Sequence, residues 1–173
     1  METLKELTGM AHVPWNKIRG FHMDEYVGIA ADHPASFRRY LRERLTEKVK
    51  MNSFLEIDGS AQDHEKTGRE YACEISSADP QLCLLGIGEN GHLAFNDPPI
   101  ADFTDPVDVK VVQLDLVCRQ QQAAEGWFSR VEDVPQDSCA NCGAPLQKVP
   151  PPLTPRFRAR SRPMMKYRPM GRR

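Results

Sequence analysis

The sequence lacks the features that mark membrane and exported proteins. No apolar run approaches the ~20 residues that a membrane-spanning helix needs. The N-terminus has no basic start followed by an apolar stretch, as a secretory signal would. The five cysteines are odd in number and widely spaced, which argues against a disulfide scaffold. These absences predict a protein of the reducing cytoplasm with no membrane partner.

Acidic residues are absent after Asp137, although the net charge of the whole chain is only −1. Residues 138–173 hold nine Lys or Arg residues and seven of the 14 prolines. Such a segment buries too little apolar surface to offset its ordering entropy, so we expect a disordered tail, unrelated to a domain at 1–137. Its abrupt start suggests a change of reading frame. Its arginines would bind nucleic acid only non-specifically, so no specific nucleic-acid partner is expected.

Within residues 1–137, short apolar runs alternate with longer amphipathic segments. This alternation predicts an α/β fold with a mostly parallel sheet. Residues 81–87 (QLCLLGI) are the clearest buried strand, because an apolar run stands there between a proline turn and glycines. Further strands are predicted at 18–23, 54–57 and 107–114, and helices at 2–11, 61–76 and 115–127. Another helix is predicted to begin at Pro34, with Asp32 as a possible cap.

A glycine-rich loop follows the predicted strand at 81–87. Gly86, Gly88 and Gly91 have the spacing of a dinucleotide-binding fingerprint. That fingerprint needs a helix directly after its third glycine, and the prolines at 98–99 leave no room for one. The alternative is a loop whose backbone approaches a small anionic or oxygen-rich ligand at the end of a parallel strand. The loop therefore predicts a ligand site without a nucleotide.

Two long segments resemble the glucosamine-6-phosphate deaminase family, which shares a sugar-phosphate isomerase superfamily with 6-phosphogluconolactonase. They are residues 21–28 (FHMDEYVG), continued by 33–37 (HPASF), and residues 85–98 (LGIGENGHLAFNDP). The resemblance runs from about Leu4 to Asp137 and implies a doubly wound, Rossmann-like domain without a nucleotide. It also implies a partial domain, because the family's first strand with its phosphate loop, and its later strands, have no counterpart here.

The resemblance implies a reaction and its residues. The family isomerises and deaminates glucosamine 6-phosphate to fructose 6-phosphate and ammonia, with no metal or other cofactor. By resemblance, Asp24 is the base that moves a proton between C2 and C1, and His92 opens the sugar ring. Asn90 stands where the best-known members have an aspartate, and Asp97 stands in the place of a glutamate that orients the histidine.

The same resemblance assigns substrate contacts. Gly86, Gly88 and Gly91 would line the sugar site, and Arg119 lies nearest to the family's phosphate-binding arginine, whose own place Gln122 holds. The partner implied is a small amino-sugar phosphate, with a homo-oligomer possible. Two alternatives stay open: an inactive remnant or sugar-phosphate-binding module of the same fold, and a 6-phosphogluconolactonase-like hydrolase. The stretch that follows His92 resembles the deaminases more than the lactonases.

Overall fold

The computed structural model describes residues 2–141 except 89, 99, 103 and 104. Five strands and four α-helices alternate along this part of the chain. In chain order they are α1 (Glu2–Thr8), β1 (Arg19–Phe21), β2 (Asp24–Tyr26), α2 (Phe37–Leu41), β3 (Ser53–Leu55), α3 (His64–Ala78), β4 (Val109–Gln113), α4 (Leu116–Ala124) and β5 (Asp137–Asn141). A π-helical turn, Arg42–Thr46, continues α2, and short 3-10 turns cover Trp15–Lys17 and Val131–Asp133.

The strands form two small sheets. β1 and β3 pair in parallel, with Gly20 opposite Phe54. β5 lies between β2 and β4 and is antiparallel to both. The prediction of an α/β fold that contains a parallel sheet is confirmed, but three of the five described strands are antiparallel. The segment after α4 turns the chain back, so β5 enters the sheet in the reverse direction to its neighbours.

The three-stranded sheet separates two hydrophobic clusters, because alternate residues of a strand point to opposite faces. One face carries Tyr26 and Val112, which pack with Phe95, Cys118 and Phe128. The other face carries Val109 and Cys139, which pack with α3. The sheet thus has a buried layer on each side. Tyr26 of β2 lies on one face, and Glu25 lies on the other.

Helix α3 shows how the sequence produces this packing. Asp63 caps its N-terminus by accepting a hydrogen bond from the Lys66 amide. Gly68, Tyr71 and Ile75 are spaced three or four residues apart and form the buried face. At Gly68 the helix approaches the sheet closely, since an added β-carbon would lie 3.6 Å from Cys139 Sγ.

Most of the predicted elements are present in the part of the chain that is described. The strands predicted at 18–23, 54–57 and 107–114 correspond to β1, β3 and β4, and the helices at 2–11, 61–76 and 115–127 correspond to α1, α3 and α4. The predicted domain boundary after Asp137 falls inside β5, whose residues Ser138, Cys139 and Ala140 are buried. Residues 142–173, where disorder is predicted, lie outside the described residues.

The strand predicted at 81–87 is wrong. No strand forms there, and only Ile87 makes an isolated bridge, to Leu93. Leu82 and Ile87 are about three-quarters exposed, at 76% and 74%. A fully apolar strand is stable when strands flank it and helices cover it. In the part of the chain that the structure describes, no strand flanks this segment, so an extended conformation there has no pairing to stabilise it.

The predicted start of the second helix is also wrong. Pro34 lies in a turn, and α2 begins only after Ser36, whose hydroxyl accepts a hydrogen bond from the Arg39 amide. Asp32 caps nothing with its side chain in the described contacts, since only its backbone carbonyl accepts a bond, from Arg39. Ser36 is the cap in the structure, and its hydroxyl is held in place because it also donates to the buried carboxylate of Glu25. Among the helices described, none has the length and hydropathy to cross a bilayer.

Candidate active site

Asp24 begins β2 and lies on the same face of the sheet as Tyr26. It is opposite Ala140 in the neighbouring strand. Burial is the main reason that the pKa of Asp24 is raised to about 7, and the adjacent charge of Glu25 adds to the shift. Asp24 is therefore a carboxyl group that exchanges its proton near neutral pH, as a general base requires.

A buried ionic network fixes the strand from which Asp24 emerges. Glu25, with no exposed surface, points to the opposite face and accepts hydrogen bonds from the amides of Tyr26, Phe37 and Arg38. The Ser36 hydroxyl and the Arg38 guanidinium donate to the same carboxylate, at 2.7 and 3.3 Å. Arg38 also reaches Asp58 at 2.7 Å. Glu25 thus joins β2 to the beginning of α2 and leaves Asp24 little freedom to move.

His92 lies in a compact loop built by glycines. The Gly88 amide donates to the His92 carbonyl at 2.9 Å, and the Gly91 amide donates to the Gly88 carbonyl at 3.0 Å. Gly91 has φ of +87°, which glycine adopts without strain. Gly88 is required by space: an added β-carbon would lie 2.1 Å from His92 Cε1. The loop therefore holds the imidazole against its own backbone.

Asn90 and Asp97 hold the imidazole of His92 from one side. Asn90 Oδ1 is 2.5 Å from His92 Nδ1, and Asp97 Oδ1 is 3.3 Å from the same nitrogen. Asn90 Nδ2 donates to Asp97 Oδ1 at 2.8 Å, and the Asp115 amide donates to Asp97 Oδ2 at 2.9 Å. Asp97 is 1% exposed. These contacts join the loop to the start of α4 and set which nitrogen of His92 faces the interior.

Cys118 of α4 lies close to His92 and Asp97. Its sulfur belongs to a group with His92 and Asp97 in which one polar atom from each residue lies within 4.8 Å of the others. Burial, and then the charges of Asp97 and Asp24, raise the pKa of the Cys118 thiol to about 12. β2 and the segment after His92 meet beside α4: the ring of Tyr26 lies 4.9 Å from that of Phe95, and the Tyr26 hydroxyl donates to Gln122. Cys118 is not among the predicted site residues, because its spacing of four residues from Gln122 predicts only that both lie on the buried face of α4.

The other predicted contacts are more dispersed. Gly86 has no atom within 4 Å of a notional β-carbon, so its surroundings are open. Arg119 donates from Nη2 to the carbonyls of Val131 and Val134, at 3.0 and 3.1 Å. Gln122 accepts a hydrogen bond from the Tyr26 hydroxyl at 2.8 Å. Both α4 side chains predicted near the phosphate site therefore already hold structural partners.

Comparisons with known proteins show the family of the chain. A sequence profile of the family described as glucosamine-6-phosphate isomerases/6-phosphogluconolactonase matches residues 1–99. The chain is 36% identical over 134 residues to a glucosamine-6-phosphate deaminase of Listeria innocua, a match that covers 78% of this chain and 55% of the relative. It is 34% identical over 118 residues to one from an Exiguobacterium species, with 68% and 44% covered.

A solved structure extends the likeness to the fold. A monomeric glucosamine-6-phosphate deaminase superposes with a TM-score of 0.70 and 28% identity, over 81% of this chain and 57% of that one. The chain spans about half the length of the curated relatives that it matches. The profile covers more than half of the chain, and the chain therefore belongs to the family of glucosamine-6-phosphate isomerases and 6-phosphogluconolactonases.

Proposed function

We propose that the chain isomerises and deaminates glucosamine 6-phosphate to fructose 6-phosphate and ammonia. This is the reaction that its resemblance to the deaminases implies. The observation that carries the proposal is the contact of His92 with Asn90 and Asp97, on the side of the sheet from which Asp24 emerges. An oriented imidazole and a carboxyl with a pKa near 7 are the two proton carriers that ring opening and isomerisation need.

In the proposed reaction, His92 acts first. It takes the proton of the C1 hydroxyl and returns a proton to the ring oxygen, so the closed sugar becomes the open aldehyde. Asn90 and Asp97 hold the imidazole through Nδ1, which leaves Nε2 to face the substrate. Asp97 is itself fixed by the Asp115 amide, so its shorter side chain still reaches the histidine.

Asp24 acts second in this proposal. As a carboxylate it removes the proton from C2 of the open sugar and delivers it to C1. A proton of the amino group passes to the C1 oxygen, so C1 becomes a CH2OH group and nitrogen stays bonded to C2 as an imine. Water adds to that carbon and ammonia departs, which gives fructose 6-phosphate. The Glu25 network supports this role because it fixes the backbone of β2 beside the base. A raised pKa makes Asp24 a stronger base than an exposed aspartate once it is ionised.

A second candidate function is sugar-phosphate binding without turnover. The observation that favours it is the engagement of Arg119 with two backbone carbonyls, which withdraws that cation from a phosphate. Remote binding of the phosphate normally supplies energy for the chemistry at C1 and C2. A chain with weak phosphate contacts would still bind the sugar, but its rate of turnover would be lower.

The test is release of ammonia and fructose 6-phosphate from glucosamine 6-phosphate by the full chain. Asp24→Asn and His92→Gln should each abolish turnover, whereas Asp32→Asn and His12→Gln, at exposed positions, should retain it. Turnover that survives in both site variants would refute the assignment. Saturable binding measured by calorimetry, without ammonia release, would select the binding role. Hydrolysis of 6-phosphogluconolactone in its place would assign the lactonase branch.

A further inference from the structure

We propose that His92, Asp97 and Cys118 form a binding site for a divalent transition metal ion, with Zn²⁺ as the preferred ion. These residues offer one imidazole nitrogen, one carboxylate oxygen and one sulfur, all within 4.8 Å of one another. They come from two separate parts of the chain, the glycine loop and α4. Asp97 and Cys118 are almost fully buried, at 1% and 0% exposure, and His92 is 8% exposed.

The distance between the nitrogen and oxygen ligands suits a tetrahedral ion. Ligand bonds from zinc to nitrogen and oxygen are about 2.0–2.2 Å long, so two such ligands of a tetrahedral ion lie about 3.4 Å apart. His92 Nδ1 and Asp97 Oδ1 are 3.3 Å apart. An ion between them replaces the contact between Nδ1 and the Asn90 carbonyl oxygen. Three protein ligands leave the fourth position of a tetrahedral ion for water.

The types of ligand select the metal. A thiolate with an imidazole favours zinc and its neighbours over magnesium and calcium, which prefer oxygen ligands. On binding, the metal–sulfur bond replaces the S–H bond of Cys118, and one proton is released to solvent. The site is separate from Cys139, the buried cysteine of β5. Cys139 packs in the other cluster, with Val109 and Tyr71.

The consequence for activity rests on the proposed function. A metal bound to His92 and Asp97 occupies the nitrogen and the carboxylate that orient the ring-opening group. Zinc would then act as a reversible inhibitor, removed by a chelator. Metal binding itself does not depend on the chemistry, so it is measurable in a chain that has no turnover.

The test uses Co²⁺ as a spectroscopic substitute for zinc, added to the full reduced chain. A cobalt–thiolate bond gives a charge-transfer band in the near ultraviolet. Wild-type protein should show this band, and Zn²⁺ should abolish it by displacement. Cys118→Ser should eliminate the band, and Asp97→Asn should weaken Co²⁺ binding by at least about tenfold. Cys73→Ser, at an exposed position, and Cys142→Ser are the controls and should retain it.

The outcomes separate the site from the reaction. Absence of the band in wild-type protein, or its persistence in Cys118→Ser, would overturn the metal site. His92→Gln provides a second variant if Cys118→Ser alters the circular dichroism, and retention of the band at unchanged affinity there would also overturn it. If the band behaves as expected and the chain releases no ammonia, the metal site stands and the proposed deaminase activity fails.

Discussion

The α-carbon of Gly88 lies directly against the imidazole ring of His92. A β-carbon at position 88 would come within 2.1 Å of Cε1, 2.3 Å of Nδ1 and 2.4 Å of Nε2. No side chain tolerates such contacts, so the ring occupies space that exists only because residue 88 is glycine. The glycine spacing that resembles a nucleotide fingerprint thus serves here to seat a histidine.

Gly88→Ala should displace the imidazole and break its contacts with Asn90 and Asp97, with little loss of global stability because the loop lies near the surface. Under the proposed function, turnover should fall by about 10²-fold, the usual cost of a misplaced catalytic group. The imidazole signals of His92 in an NMR spectrum report the displacement directly. Gly86→Ala is the matched control for the His92 signals, since its β-carbon meets nothing within 4 Å. Unchanged His92 signals in Gly88→Ala would contradict the packing.

Asp24→Asn should stabilise the protein at neutral and alkaline pH. The folded-state pKa of Asp24 is about 7, above the ordinary 3.8, so the folded protein binds the proton more tightly than the unfolded chain. Stability is therefore lost as pH rises from 3.8 to 7. The asparagine variant does not have this loss and should unfold at a higher denaturant concentration. Its free energy of unfolding should exceed that of the wild type by roughly 3–4 kcal/mol at pH 8 and should equal it below pH 3.5. An equal difference at both pH values would disprove the raised pKa.

His22→Asn should remove an opposite pH dependence. Burial, and then the charge of Arg38, lower the pKa of His22 to about 3, so the ring stays neutral in the folded protein and protonates on unfolding. This contribution to stability is lost as pH falls from 6.5 to 3. Between pH 7.5 and 5, wild-type protein should lose about 2 kcal/mol relative to the variant. Denaturant curves of the two proteins at both pH values measure this difference. The pH dependence caused by Asp24 cancels in it, because both proteins contain Asp24.

Glu25→Ala should destabilise the protein by about 3–5 kcal/mol, because it leaves the buried Arg38 guanidinium and several amide donors without their acceptor. Glu43→Ala is the matched control: its pairs with Arg39 and Arg44 lie at the surface, and its loss should barely move the transition. Urea unfolding followed by circular dichroism compares the two. Equal stabilities for both variants would refute a structural role for the buried pair.

The sequence predicts the His92 cluster well because its members are local. Asn90, His92 and Asp97 lie within eight consecutive residues, so a motif of ordinary length brings them into contact. Cys118 lies 26 residues after His92, and no local pattern distinguishes it from an ordinary buried cysteine. Its proximity to His92 depends on how α4 docks against the sheet, which is a tertiary property.

The errors in the strand predictions have the same origin. Residues 81–87 have the composition of a buried strand. Such a segment forms a strand only where neighbouring strands pair with it and cover it. Residues 138–141 (SCAN) are small, two of the four are polar, and nothing in them suggests a central strand. They occupy that place because Ser138 donates to the Glu25 carbonyl at 2.9 Å and because the backbone pairs on both sides.

The central position of β5 has a kinetic consequence. β2 and β4 are far apart in sequence, and β5, the last of the described strands, is the one that bridges them. Contacts of such long sequence separation form slowly, since a large loop must close before any pairing energy is gained. During synthesis, β2 leaves the ribosome more than a hundred residues before its partner. Until β5, the last of the described strands, pairs with β2, Asp24 has no Ala140 beside it, and the burial that raises its pKa is incomplete.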